Sequence, residues 1–412
     1  MDRVRTSPRP NWPARLEEIG FPFHTDADGT AYWDEGAYWR FSLAEIETLE
    51  AAAEEVYRLC ESAVDHVVAQ GLYDAVGIPA WAAPAVEASW AERATRDMAL
   101  YARFDFAWEG QGEGQARGRS RGRGGPPKML ELNAETPTSL YEAAVAQWCW
   151  LQDCHPDADQ FNSLEEALVK RWAARAAAFP GLGTREEAVH FTGLMPHAED
   201  EATIAYLQTL ALKAGLATKA MPIQAIRYDE AAQRFLDDTD RPIRHLMKLY
   251  PWDWLIREEA GRALVAAAAA GRIRVVEPAW KMVMASKGLL PLLWRLFPGH
   301  PNLLPAFFDR TGFAAGSTVV AKPRLGREGS NVSIAVLDAA GLPVGQPIAQ
   351  TDGPYDEDGW VYQAFTPLAE ADGNHAVFGV WMAGGTACGL GVREDRSLIT
   401  GNASRFVPHL FR

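Results

Sequence analysis

The chain reads as an α/β (or α+β) protein with mixed sheets. Strand-like and helix-like stretches alternate from about residue 99 onward, the C-terminal third is rich in strands, and no internal repeat imposes a solenoid period.

Residues 1–41, rich in Pro, Trp, Tyr and acidic groups, read as an ordered but irregular arm. Ser42 and Glu45 form an S-x-x-E capping box. Leu43, Ile46, Leu49, Val56, Leu59, Ala63 and Val67 then mark one face of a long helix. "ALYARFDF", 99–106, predicts a strand that puts Arg103 and Asp105 on one face. The Gly/Arg-rich run 109–125 has nothing to bury and reads as a flexible loop closing a hairpin with "PKMLELNA". Thr136 reads as an N-cap with Pro137 at the first helical position, for a helix reaching about Asp153. Its free N–H groups would favour an anionic substrate group beside Glu131 and Asn133.

Further along, "AVHFTG" predicts a strand and "AEDEATIAYLQTLALKAG" a helix, followed by strands at "ATKAMPIQAI" and "QRFLDD". "RHLMKLYPWDWLIRE" reads as a helix, and "RIRVVEP" leads into the helical "AWKMVMASKGLLPLLWRLF". The strand "GSTVVAK" precedes the loop "PRLGREGSN", and then come "VSIAVL", "GWVYQAF", "HAVFGVWM" and "TACGLGV", the last two joined as a hairpin through "AGG".

Composition narrows the function. A hydrophobic share of 48% and a charged share of 23% over 412 residues are those of a soluble globular protein. A net charge of -14 argues against a general nucleic-acid binder, yet leaves room for a polyphosphate in a local cationic pocket. "RGRSRGRGG" is short and lacks stacking aromatics, so a tolerated loop insertion explains it better than RNA binding. Cys60, Cys149, Cys154 and Cys388 form no CxxC pair, so disulfides are not indicated and a reducing compartment is expected. The first twenty residues lack the apolar core of a secretory signal, and "GLLPLLWRLFPGHP" is too short and broken to span a bilayer. The expectation is a cytoplasmic protein with no membrane contact.

Five groups of residues can carry chemistry. Asp105, Glu131 and Asn133 are hard oxygen donors suited to magnesium beside nucleotide phosphates, or else solvated strand-end polars. "VVAKPRLGREGSNVSI" places Lys322 at a strand end before a glycine-punctuated loop, which reads as a phosphate-covering flap or an ordinary hairpin; no Walker A pattern is present. Lys287 follows an apolar helical run, where it also fits as a last helical residue before Gly288. Arg393 stands just beyond an apolar strand, suited to a phosphate or carboxylate, or to the salt bridges of a "REDR" turn. Glu199, Asp200 and Glu201 would draw a cationic amine if they faced a pocket, and are otherwise favourable first-turn helix charge.

Taken together and in this order, "ARFDF", "ELNAETPTSLYEA", "KLYPWDW", "EPAWKMVMASKGLLPLLW", "VVAKPRLGREGSNVSI", "YQAF" and "GLGVREDRSLITGNASRF" resemble the glutathionylspermidine synthase-like family. The likeness is to its short stand-alone members, described as acid–amine ligases, and it covers nearly the whole chain. It implies an ATP-grasp fold with a pre-ATP-grasp region over 1–412, a flexible loop at about 109–127, and a lid subdomain at about 280–362. No amidase domain is expected.

The resemblance further implies an ATP- and Mg2+-dependent, ADP-forming ligase that makes an amide from a carboxylate and an amine through an acyl phosphate. Arg103, Lys287 and Lys322 would bind ATP, with Gln363, Ala364, Phe365 and Thr366 lining the adenine pocket. Asp105, Glu131 and Asn133 would hold magnesium, and Arg393 would stabilise the acyl phosphate and tetrahedral intermediate. Thr136 and Thr138 stand where glutathione-using relatives carry serines, and Asp200 and Glu201 fall at the acidic pair associated with the substrates. The added methyls narrow that pocket, so neither glutathione nor spermidine is assigned. Partners are then small-molecule acids and amines, with no nucleic acid and no obligate protein partner. The competing reading is a non-catalytic nucleotide-binding module on the same fold. Intact metal ligands, both lysines and Arg393 argue against it, because a decayed site would be expected to lose a charge that is costly to bury.

Overall fold

The computed structural model describes every residue except 27, 97–98, 111–123, 185, 356 and 402–403. The Gly/Arg-rich loop expected at 109–127 therefore lies largely outside the described residues.

The architecture is three principal sheets with helices packed between them. The largest is antiparallel, running Arg405–Val407, Thr386–Asp395, Asn374–Ala383, Tyr101–Ala107 and Lys128–Asn133, with Ala369–Ala371 added beside Asn374–Ala383. A parallel sheet runs Arg274–Val276, His245–Leu249, Val189–Gly193 and Thr218–Pro222. An antiparallel sheet of five strands, Ala306–Phe307, Trp360–Ala364, Thr318–Pro323, Ser333–Val336 and Ala349–Gln350, faces the first across a cleft. Among the described residues no helix is long and apolar enough to cross a membrane, and Cys60, Cys149, Cys154 and Cys388 are all free thiols.

The long helix Leu43–Gln70 opens with the expected capping box: Glu45 N donates to Ser42 Oγ at 3.3 Å and Ser42 N to Glu45 Oε2 at 2.9 Å. Ile46, Leu49, Val56, Leu59, Ala63 and Val67 are buried along it. Leu43 is 51% exposed, so the buried face starts two residues later, at the cap glutamate.

Four sequence expectations are corrected. The N-terminal arm is regular: Asp2–Arg5 pairs with Ala37–Phe41, which in turn lies parallel to His409–Phe411, with a helix at Trp12–Glu18 between. This sheet joins the two ends of the chain, a pairing invisible to local pattern. Second, no helix starts at Pro137. The chain is irregular from 134 to 139, Ser139 is left-handed at φ 68°, and helix begins at Leu140, passing through a π turn, Glu142–Ala146, into Gln147–Cys154. The backbone turns aside because the Thr138 carbonyl accepts from Arg103 Nη1 at 2.5 Å; Thr136 is not an N-cap.

Third, "HLMKL" is a central strand, His245–Leu249, and only Trp252–Leu255 is a helical turn. A short strand covered on both faces buries the side chains of both, here His245 and Lys248 included, so it shows no alternation that would separate it from a buried helix. Fourth, the helix expected over 279–297 is broken into Lys281–Ala285 and Leu289–Leu296. At the break, a Cβ on Gly288 would stand 2.3 Å from the Ala75 carbonyl oxygen, and Lys287 is presented at this kink.

Candidate active site

The hairpin Tyr101–Ala107/Lys128–Asn133 builds the centre of the site. Its register sets Asp105 opposite Glu131 and Arg103 opposite Asn133, so the strand period of two brings four polar side chains onto one face. Arg393 joins them from the strand Thr386–Asp395, two strands away. The intervening strand is bare at Gly379, where a Cβ would stand 2.9 Å from Arg103 Cδ, so the arginine can lie across it.

Asp105 is the hub. Its Oδ1 accepts from Arg103 Nε at 2.7 Å, and its Oδ2 accepts from Arg103 Nη2 at 3.0 Å, Arg393 Nη2 at 2.9 Å and Asn133 Nδ2 at 3.2 Å. Asn133 Nδ2 also lies 3.4 Å from Glu131 Oε1, and Lys287 Nζ lies 3.1 Å from Glu131 Oε2. Burial pushes the Glu131 carboxyl up, but Lys287 and then Lys322 outweigh it and hold the group at about 2. Lys322 Nζ donates to the Leu130 carbonyl at 3.0 Å and to Gln363 Oε1 at 2.8 Å. Desolvation dominates for this ammonium and brings it down to about 8, against the pull of Glu131.

Two clefts meet on these residues. One, with about 810 Å³ of empty space, runs between the large sheet and the five-stranded sheet. Its polar end holds Lys322, and its apolar end is walled by Val332, Ile334 and Phe365; Gln363, Ala364 and Thr366 also line it. The other, of about 1320 Å³, is lined by Thr136, Thr138, Glu199 and Asp200 among others. Glu131, Lys287 and Arg393 line both. The glycine-rich loop 324–331 covers the junction, and Gly329 is needed there: it is left-handed at φ 67°, and a Cβ would sit 2.4 Å from the Thr400 carbonyl oxygen.

The structure thus gathers every proposed site residue except one. Glu201 is exposed, lines neither cleft, and accepts from His197 N at 3.2 Å. Its neighbour Glu199 faces the second cleft instead, with its carboxyl raised by burial and by Asp200.

Several cleft residues were given no role from the sequence. Arg327 and Glu328, on the loop, line the second cleft. Glu135 takes Lys248 Nζ at 3.3 Å in a buried ion pair beneath it. Tyr32, from the arm, donates to Glu142 at 2.6 Å and lies 3.0 Å from Ser139 Oγ, lining a side chamber off Arg393 and Glu199. Glycine-loop periodicity could have flagged Arg327; nothing local could have flagged Tyr32.

Among the described residues no group of three or more His, Cys, Asp and Glu is arranged to hold a metal. Asp105, Glu131 and Asn133 are a different donor set, two carboxylates and an amide tied to one another. All-oxygen donors of this kind fit a hard divalent cation such as Mg2+.

The family model for glutathionylspermidine synthase preATP-grasp matches residues 3–412. A protein of Haemophilus influenzae, proposed by its name to be an acid–amine ligase, is 34% identical over 100% of both chains. Trypanothione synthetase of Crithidia fasciculata is 27% identical over 78% of this chain, which spans only 48% of that protein. Among solved structures, a glutathione synthetase-like effector of Globodera pallida superposes with a TM-score of 0.53 over 91% of this chain and 89% of its own, at 9% identity. That likeness bears on the fold alone.

Proposed function

Because the chain belongs to the glutathionylspermidine synthase preATP-grasp family, we propose that its two clefts divide one ligation between them. The activity is that of an ATP-dependent acid–amine ligase of the ATP-grasp superfamily, joining a carboxylate to an amine through an acyl phosphate. Family membership implies ATP- and Mg2+-dependent chemistry and small-molecule acid and amine substrates.

The first cleft takes the nucleotide. Phe365, Val332 and Ile334, with Gln363 to Thr366, would hold the adenine, and Lys322 and Lys287 would meet the phosphates, with Arg103 reaching them from the second cleft. Asp105, Glu131 and Asn133 would hold Mg2+, which neutralises phosphate charge when bound. The five-stranded sheet and its loop, within about 280–362, act as the lid.

The second cleft takes the acid, past Thr136 and Thr138, and the amine, drawn by Glu199 and Asp200. A carboxylate oxygen attacks the γ-phosphorus, and the bond to the ADP oxygen breaks. The ammonium first loses a proton to solvent, its nitrogen then attacks the acyl carbon, phosphate leaves, and the nitrogen gives up a second proton, which the departing phosphate can take. Arg393 faces both clefts, where it can stabilise the charge on the transferred phosphoryl group and on the tetrahedral intermediate. No side-chain nucleophile is required.

The observation that carries this reading is that Glu131, Lys287 and Arg393 line both clefts, so a nucleotide phosphate and a second substrate can meet there. The test is ADP and phosphate release from Mg-ATP with pooled carboxylic acids and peptides against pooled amines. Release that needs both pools, and is lost in Arg393→Ala, supports it. Nucleotide binding with no release from any pool counts against it.

A further inference from the structure

One attachment of the loop that lines both clefts is a side-chain ion pair to a carboxylate of the protein body. Asp253, in the turn Trp252–Leu255, is 8% exposed, and both of its oxygens are taken by a single guanidinium. Arg327 Nη2 donates to Oδ1 at 2.5 Å and Nη1 to Oδ2 at 3.1 Å, a bidentate pair that fixes direction as well as distance. The guanidinium also lies 5.4 Å from the ring centroid of Trp254, the next residue of the turn.

Behind this pair the anchor is rigid. Glu135 accepts from Trp252 N at 2.9 Å and from the buried Lys248 at 3.3 Å, so the turn is pinned to the segment that continues directly from Asn133. In front, the same loop is met by a nucleotide-cleft lysine. Lys287 Nζ donates to the Gly326 carbonyl at 2.7 Å, and Lys287 N donates to the Arg324 carbonyl at 2.9 Å. Arg327 lines both clefts and stands between these two attachments.

We propose that Asp253 is a positioning residue for the ligation: it seats Arg327, and with it the loop 324–331, over the junction of the two clefts. The inference rests on the ligase reading for its purpose, which is to keep the junction covered while an acyl phosphate exists. A solvated surface pair would contribute little. Here the side chains are only 25% and 12% exposed, and without Arg327 the Asp253 carboxylate would share its small cavity with a second carboxylate, Glu135. The loop is therefore seated by the protein before ligands arrive.

The test is hydrogen exchange of the full-length protein, followed by mass spectrometry on peptides spanning 324–331, with and without Mg–AMP-PNP. In the native protein these amides are expected to be protected even without nucleotide. Asp253→Asn should speed their exchange at least tenfold in both states, with peptides from Thr318–Pro323 and His245–Leu249 unchanged. The dissociation constant for Mg–AMP-PNP should move less than threefold, a split that a general loss of structure would not give. Arg327→Lys, on the loop itself, should produce the same local rise, and the two variants combined should add nothing further. The charge exchange Asp253→Arg with Arg327→Asp should recover part of the protection.

Native-like exchange in Asp253→Asn or in Arg327→Lys overturns the proposal. So does a combined variant whose effect is the sum of the two. If Asp253→Asn loosens the whole protein, Arg327→Lys decides alone. None of these readouts needs turnover, so a protein that failed as a ligase would still report on Asp253.

Discussion

Asp105 holds two arginines from separate strands on one carboxylate: Arg103 spans both of its oxygens, and Arg393 Nη2 lies 2.9 Å from Oδ2. It therefore aligns both cations toward the clefts, and under the proposed function it would also offer oxygens to a divalent cation. Asp105→Asn keeps the shape and removes the charge, leaving Arg103, only 4% exposed, without its counter-ion. Breaking a buried pair of this kind costs roughly 3 kcal/mol. Urea unfolding should show a loss of that order, and Mg-ATP turnover should fall at least a hundredfold. A variant of native stability and activity would remove Asp105 from the site.

Lys322 supplies a pH dependence with a defined sign. Its folded value, about 8, lies below the ordinary 10.5, with desolvation as the main cause. The ammonium is thus charged below about pH 8 and neutral above it. Affinity for Mg-ATP should decline as pH rises through this value, by roughly tenfold at pH 9. Its contribution to folding runs the other way. Between about pH 8 and 10.5 the unfolded chain binds more protons, so stability gains as pH rises. Lys322→Arg, charged throughout, should flatten the affinity profile in isothermal titration.

Glu142 gives the opposite slope. Burial, and then repulsion from Glu199, raise its carboxyl from 4.5 to about 7. From about pH 4.5 to 7 the folded protein keeps a proton that the unfolded chain has released, so stability falls as pH rises through that window. The group is 1% exposed, and the loss should be of order 2–3 kcal/mol by pH 8. Glu142→Gln cannot lose a proton, so its stability relative to the native protein should improve between pH 5 and pH 8 in urea denaturation. Parallel curves for the two proteins would show that Glu142 stays ionised throughout.

What the sequence made legible was local. Arg103 and Asp105, or Glu131 and Asn133, share a face because strands alternate, and the hairpin that joins them follows from two adjacent strand patterns. Lys322 before its glycine loop, and Ser42 with Glu45, are read the same way. What stayed hidden depends on contacts far along the chain. His245–Leu249 is a strand because strands from before and after it flank it. Thr136 fails as a cap because Arg103 draws the Thr138 carbonyl away. Tyr32 reaches Glu142 only because the arm folds back, through pairings that involve both chain ends.

The acidic cluster shows the same boundary at the scale of one helical turn. Composition points to Glu199, Asp200 and Glu201 equally, yet successive residues of a helix point about a hundred degrees apart. Glu199 and Asp200 line the second cleft, while Glu201 is exposed and occupied by the backbone of His197. Once an acid–amine pair supports turnover, Glu199→Gln should raise KM for the amine about tenfold with KM for ATP unchanged. That is roughly the value of one charge-assisted contact in a partly desolvated site. Glu201→Gln should leave both constants within twofold of native. A large effect at Glu201 with none at Glu199 would mean that the amine approaches from outside the cleft, and the assignment of the second cleft to the amine would fall with it.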